Sequence, residues 1–71
     1  MRKNAVFTKV LQKKIRKYRN EAGLTQEELA DKVGISRAYM GYIEQGRNVP
    51  SLEVLEKIAR VLKVKPSALI P

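Results

Sequence analysis

Seventy-one residues make one small domain. A chain of that length buries only about 60% of its unfolded surface, so pairing with a second subunit is a natural supplement to its core. With no Cys and no His, disulfides, a thiolate nucleophile, an imidazole base and the commonest metal ligand are all excluded. The formal net charge is +8, and the whole excess lies in residues 1–20, which hold eight Lys/Arg and no acid, against seven of each sign in residues 21–71. That balance favours a polyanionic partner, either nucleic acid or an anionic membrane surface.

At the N-terminus, Arg2-Lys3 precedes Asn4-Ala5-Val6-Phe7, but Thr8-Lys9 breaks the apolar stretch too early for a secretory signal. No later apolar run approaches the roughly 18 residues that span a bilayer, so a cytoplasmic protein is expected. The first helix is predicted from Phe7 to about Glu21, with Leu11, Ile15 and Tyr18 at i, i+4 and i+7 forming a narrow core stripe. Lys9, Lys13, Lys14, Arg16 and Lys17 cover its other faces. Three readings fit that basic surface: a solvated face that steers association, a phosphate-binding face, or an amphipathic helix on a membrane. The stripe is too narrow, and its aromatics too few, for the last.

Gly23 closes this helix and Leu24 enters the core. Thr25 with Glu28 three residues later is a capping box, which starts the second helix at Gln26 and places Leu29, Ala30 and Val33 on one face. Gly34 ends it in a left-handed conformation, Ser36 caps the third helix, and Met40 and Ile43 give that helix its apolar side. Ala30 is small where two steeply crossing helices must touch. A helix, a short glycine turn and a second helix constitute a helix-turn-helix, here over about residues 25–46.

After the loop Arg47-Asn48-Val49-Pro50, Ser51 caps a fourth helix through about Leu62, with Leu52, Leu55, Ile58, Ala59 and Leu62 inward. Glu53–Lys57 and Glu56–Arg60 are favourable i,i+4 pairs. Pro66 opens a last short turn through Ile70, so the reading is five helices and no strand.

The second helix of such a motif enters the major groove, where each base pair presents a distinct donor and acceptor pattern. Its exposed positions Ser36, Arg37, Ala38 and Tyr42 are the expected base readers. Arg37 stands first, because a guanidinium binds guanine O6 and N7 as a bidentate pair; its alternative is a phosphate or solvent contact. Ala38 offers only a methyl to thymine. Tyr42 lines the groove, bonds a phosphate or is a plain surface residue, and Tyr39 divides between phosphate contact and core edge. Thr25 and Gln26 at a helix N-terminus, and Gln45, Arg47 and Asn48 beyond the reading helix, are expected phosphate contacts, although capping alone explains Thr25 and an ordinary polar turn would explain Arg47 and Asn48. Glu27, Glu28 and Asp31 form the only acid cluster, read either as a hard-metal site or, far better, as a first turn favoured by the helix dipole with Glu28 paired to Lys32. No catalysis, metal or cofactor is expected.

The runs Leu24-Thr25-Gln26-Glu27-Glu28-Leu29-Ala30, Val33-Gly34-Ile35-Ser36 and Ile43-Glu44-Gln45-Gly46-Arg47 closely resemble the Cro/phage-repressor (Xre-type) helix-turn-helix family. The likeness continues through Pro50-Ser51-Leu52-Glu53-Val54-Leu55 and Ile58-Ala59-Arg60-Val61-Leu62, covering roughly Leu11 to Ile70. In size the chain looks most like stand-alone restriction–modification controller proteins or small phage-type repressors. The resemblance implies an all-α, compact five-helix lambda-repressor-like domain. It also implies that Gln26 holds a backbone phosphate and braces the reading helix. Arg19 and Glu44 match a family pair that bridges the first and third helices, with Arg19 also near a phosphate. Relatives often carry polar residues along the reading helix where this chain has Ala38, Met40 and Gly41, which leaves the operator open.

The expected function is sequence-specific binding of a near-palindromic duplex by a homodimer that regulates transcription, either blocking RNA polymerase or touching it. Val49, Val64, Leu69 and Ile70 are the expected pairing surface, unless the tail folds onto its own core. The alternatives are an antitoxin-type interaction module and a structure-selective RNA binder; the second lacks RNA-binding motifs and has only four aromatics for stacking.

Overall fold

A computed structural model describes residues 3–70, with side chains from Val6 onward. Four α-helices follow one another: α1 Lys3–Glu21, α2 Gln26–Val33, α3 Arg37–Glu44 and α4 Leu52–Leu62. A 3-10 turn, Pro66–Ala68, ends the described chain. The expected fifth helix is therefore a single turn, too short after Pro66 to propagate. Helix α1 starts four residues earlier than expected, because no Gly or Pro between Lys3 and Phe7 stops the backbone from continuing.

Helix boundaries follow local chemistry. Thr25 Oγ1 accepts from Glu28 N at 3.0 Å while Thr25 N donates to Glu28 Oε1 at 2.8 Å, so the capping box is complete. Glu28 thus turns to the cap rather than to Lys32. Ser36 and Ser51 cap α3 and α4 in the same way, accepting from Tyr39 N at 2.9 Å and Val54 N at 3.1 Å. Gly34, at φ 89°, lets Ala30 O accept from both Gly34 N and Ile35 N. Helix α4 ends in the same left-handed geometry on Lys63, at φ 61°, a conformation that costs a non-glycine residue about 1 kcal/mol. On α4, Glu53 and Lys57 approach to 3.8 Å, whereas no ion pair joins Glu56 to Arg60 among the described residues.

The core gathers Leu11 and Ile15 from α1, Leu29, Ala30 and Val33 from α2, Met40 and Ile43 from α3, and Leu55, Ile58, Ala59 and Leu62 from α4. Two expectations about apolar residues change here. Leu52, expected inward, is 67% exposed, because the first helical position of α4 has no facing helix to cover it. Leu69, expected at a subunit interface, is completely buried: the 3-10 turn, closed by Leu69 N donating to Pro66 O at 3.0 Å, drops it onto the core. The tail thus folds onto its own core at this residue. Val64 and Ile70 are half-buried against the same core, and Val49 stays exposed.

Candidate nucleic-acid interface

Helix α2 buries Leu29, Ala30 and Val33, and α3 buries Met40, Gly41, Ile43 and Glu44. Ala30 is fully buried on α2, and Gly41 is buried on α3, where a Cβ would stand 3.4 Å from Gln26 Oε1. That is ordinary contact with the end of a flexible side chain, so packing does not by itself demand a glycine in the middle of α3, where its helix propensity is poor.

One carboxylate ties these two helices to the rest of the fold. Glu44, the last residue of α3, accepts from Arg19 Nε at 2.8 Å through Oε2 and from Arg19 Nη2 at 3.0 Å through Oε1. Gln26 Nε2 adds a longer bond of 3.4 Å to Oε1, and Arg19 Nη1 donates to Leu24 O at 2.9 Å. The pair is withdrawn from water, with Arg19 and Glu44 side chains 15% and 3% exposed. A bidentate fork of this kind fixes orientation as well as distance. Arg19, expected also at a phosphate, spends three of its five N–H donors within the protein, one from each nitrogen, which leaves one on each terminal nitrogen.

With its C-terminal end anchored, α3 buries Met40, Gly41, Ile43 and Glu44 and leaves the opposite side in solvent. Ser36, Arg37, Ala38 and Tyr42 all lie on that open side. Tyr39 does not; it is half-buried, with its side chain packed at the core edge. Past the helix, Gln45, Arg47 and Asn48 are exposed, and the Arg47 guanidinium lies 4.8 Å from the centre of the Tyr42 ring. This cation–π contact gives a long arginine side chain a defined place beside the exposed side of α3. Thr25 is exposed and Gln26 half-buried at the start of α2.

Sequence reasoning missed two features of this surface. The Arg47–Tyr42 stack joins residues that were read separately. Glu27, read as part of an acidic first turn, places Oε1 3.7 Å from Arg37 Nη1. No helical period links positions ten apart across a turn, so only the crossing of α2 and α3 reveals the pair. Glu27 and Glu28 therefore turn to different partners, which argues against a shared cation.

Comparison with known proteins gives the same architecture. The helix-turn-helix family HTH_3 matches residues 15–69. An HTH-type transcriptional regulator of Methanothermobacter thermautotrophicus is 52% identical over 48 residues, 68% of this chain and 70% of its own. The restriction–modification controller protein C.AhdI from Aeromonas hydrophila superimposes with a TM-score of 0.84 at 34% identity, covering 87% of this chain and 94% of its own. SinR, a master regulator of biofilm formation solved in complex with DNA, gives a TM-score of 0.79 at 37% identity over 83% of this chain and 95% of its own. Matched across most of its length in both sequence and fold, the chain belongs to the Xre-type helix-turn-helix family.

Proposed function

We propose that residues 1–71 act as one DNA-binding domain of a transcriptional regulator, reading duplex DNA through the major groove as a homodimer. The observation that carries this reading is the division of α3: its inner side is locked by the Arg19–Glu44 fork, and its outer side presents Arg37 to solvent. A reading helix needs both, a fixed axis and free polar ends. That SinR, of the same fold, has been solved with DNA supports the assignment. Arg37 takes the base edge, with Ser36, Ala38 and Tyr42 alongside. Thr25, Gln26, Gln45, Arg47 and Asn48 take phosphates on either side. Arg19 contributes mainly by holding α3, with its two remaining N–H donors left for a phosphate.

Two copies would set their reading helices about 34 Å apart, matching half-sites one helical turn apart. Val49, Val64 and Ile70 remain available for pairing, and Leu52 is a further exposed apolar residue. Selection from random duplexes tests the proposal: two inverted half-sites one turn apart are expected, and sequence-blind binding with a steep salt slope would overturn it. Arg37→Ala should cost about 1–3 kcal/mol on the selected duplex and relax preference at one base pair. Equal weakening on every sequence would make Arg37 a phosphate contact.

A further inference from the structure

The first turn of α2 sends three consecutive side chains in three directions. Gln26 turns inward to Glu44, and Glu28 closes the capping box on Thr25. Glu27 reaches across to the opposite end of α3, facing Arg37 at the start of that helix. At 3.7 Å the two groups attract without a hydrogen bond, and their side chains are 72% exposed for Arg37 and 61% for Glu27. An exposed contact of this sort does almost nothing for folding. Its position gives it a different consequence.

A carboxylate beside the entering arginine repels the phosphates of any duplex that approaches α3, a like-charge effect blind to sequence. Where Arg37 meets a matching base edge, water leaves the contact and the local dielectric falls. The attraction between Glu27 and Nη1 then strengthens and holds the planar fork, while the remaining donors face the base. On a duplex that offers no such edge, only the repulsion is felt. We propose that Glu27 is a specificity-determining residue of the reading face: it orients Arg37 and weakens binding to duplexes that give Arg37 no base partner. This inference rests on the proposal that Arg37 reads a base.

The test measures equilibrium binding of the wild type, Glu27→Gln, Arg37→Ala and the double variant, all at one salt concentration. Three duplexes are compared: the selected site, that site with the Arg37-dependent base pair replaced, and an unrelated sequence. Glu27→Gln is expected to bind the replaced and unrelated duplexes about two- to fivefold tighter, the size of one exposed charge contact, and the selected site no tighter. In the Arg37→Ala background the same change should shift all three duplexes by one common factor. Glu27→Gln tightening all three equally while Arg37 is present, or altering none, would overturn the inference even though the wild type still discriminates. A wild type that distinguishes none of the duplexes overturns the base-reading proposal and this inference with it.

Discussion

Helix α3 carries an arginine–carboxylate pair at each end, and the two differ in everything but charge. At the C-terminal end Arg19 and Glu44 are nearly dry, bidentate at 2.8 and 3.0 Å, and joined by Gln26 and the Leu24 carbonyl. At the N-terminal end Glu27 and Arg37 are wet and 3.7 Å apart, with no third partner for either side chain among the described residues. The buried pair cannot be opened cheaply, because a lone charge would be left out of water. The exposed pair exchanges partners freely, since water and salt screen it. A helix that must hold its axis while trading contacts with a ligand needs the first at one end and the second at the other.

The largest expected effect comes from breaking the buried end. Glu44→Ala strands the Arg19 guanidinium and should cost about 3 kcal/mol, read by urea or thermal unfolding. A domain this small has only about 3–5 kcal/mol from its core, so that variant should be mostly unfolded on warming. A loss below about 1 kcal/mol would mean that the fork is not what holds α3.

A smaller loss is expected for Arg19→Lys, which keeps the charge but cannot hold both Glu44 oxygens and the Leu24 carbonyl together. About 1–2 kcal/mol of stability should go, and no more selectivity than α3 loses by becoming mobile. At the exposed end, Glu27→Ala and Arg37→Ala should each leave the unfolding midpoint within about 0.5 kcal/mol of the wild type. If either destabilised the fold as strongly as Arg19→Lys, the contrast between the two ends would disappear.

The same division between local and distant partners governs what could be read from the residues alone. The capping box of Thr25 and Glu28, the Ser36 and Ser51 caps and the left-handed Gly34 each depend on groups three or four residues away, and each is where the pattern put it. The core stripe of α4 followed equally from its 3.6-residue period, except at Leu52. A helical wheel assigns a face to every position, but it cannot say where the neighbouring helix ends. At Leu69 the pattern left pairing surface and own core both open for a related reason: its burial depends on a 3-10 turn folding back, not on the few apolar residues around it.

Amino-acid order by itself determined an all-helical chain, the helix-turn-helix boundaries and the side of α3 that faces solvent, because all three arise from hydrogen bonds and periodicity within a few residues. The Arg19–Glu44 fork was visible beforehand only through likeness to a family. Tertiary structure alone decided which charges are locked and which are free: that Arg19 closes on Glu44, that Gln26 turns to the same carboxylate, and that Glu27 stands against Arg37. Those partners lie ten to twenty-five residues apart, and only the packing of helices sets their distances and the amount of water between them.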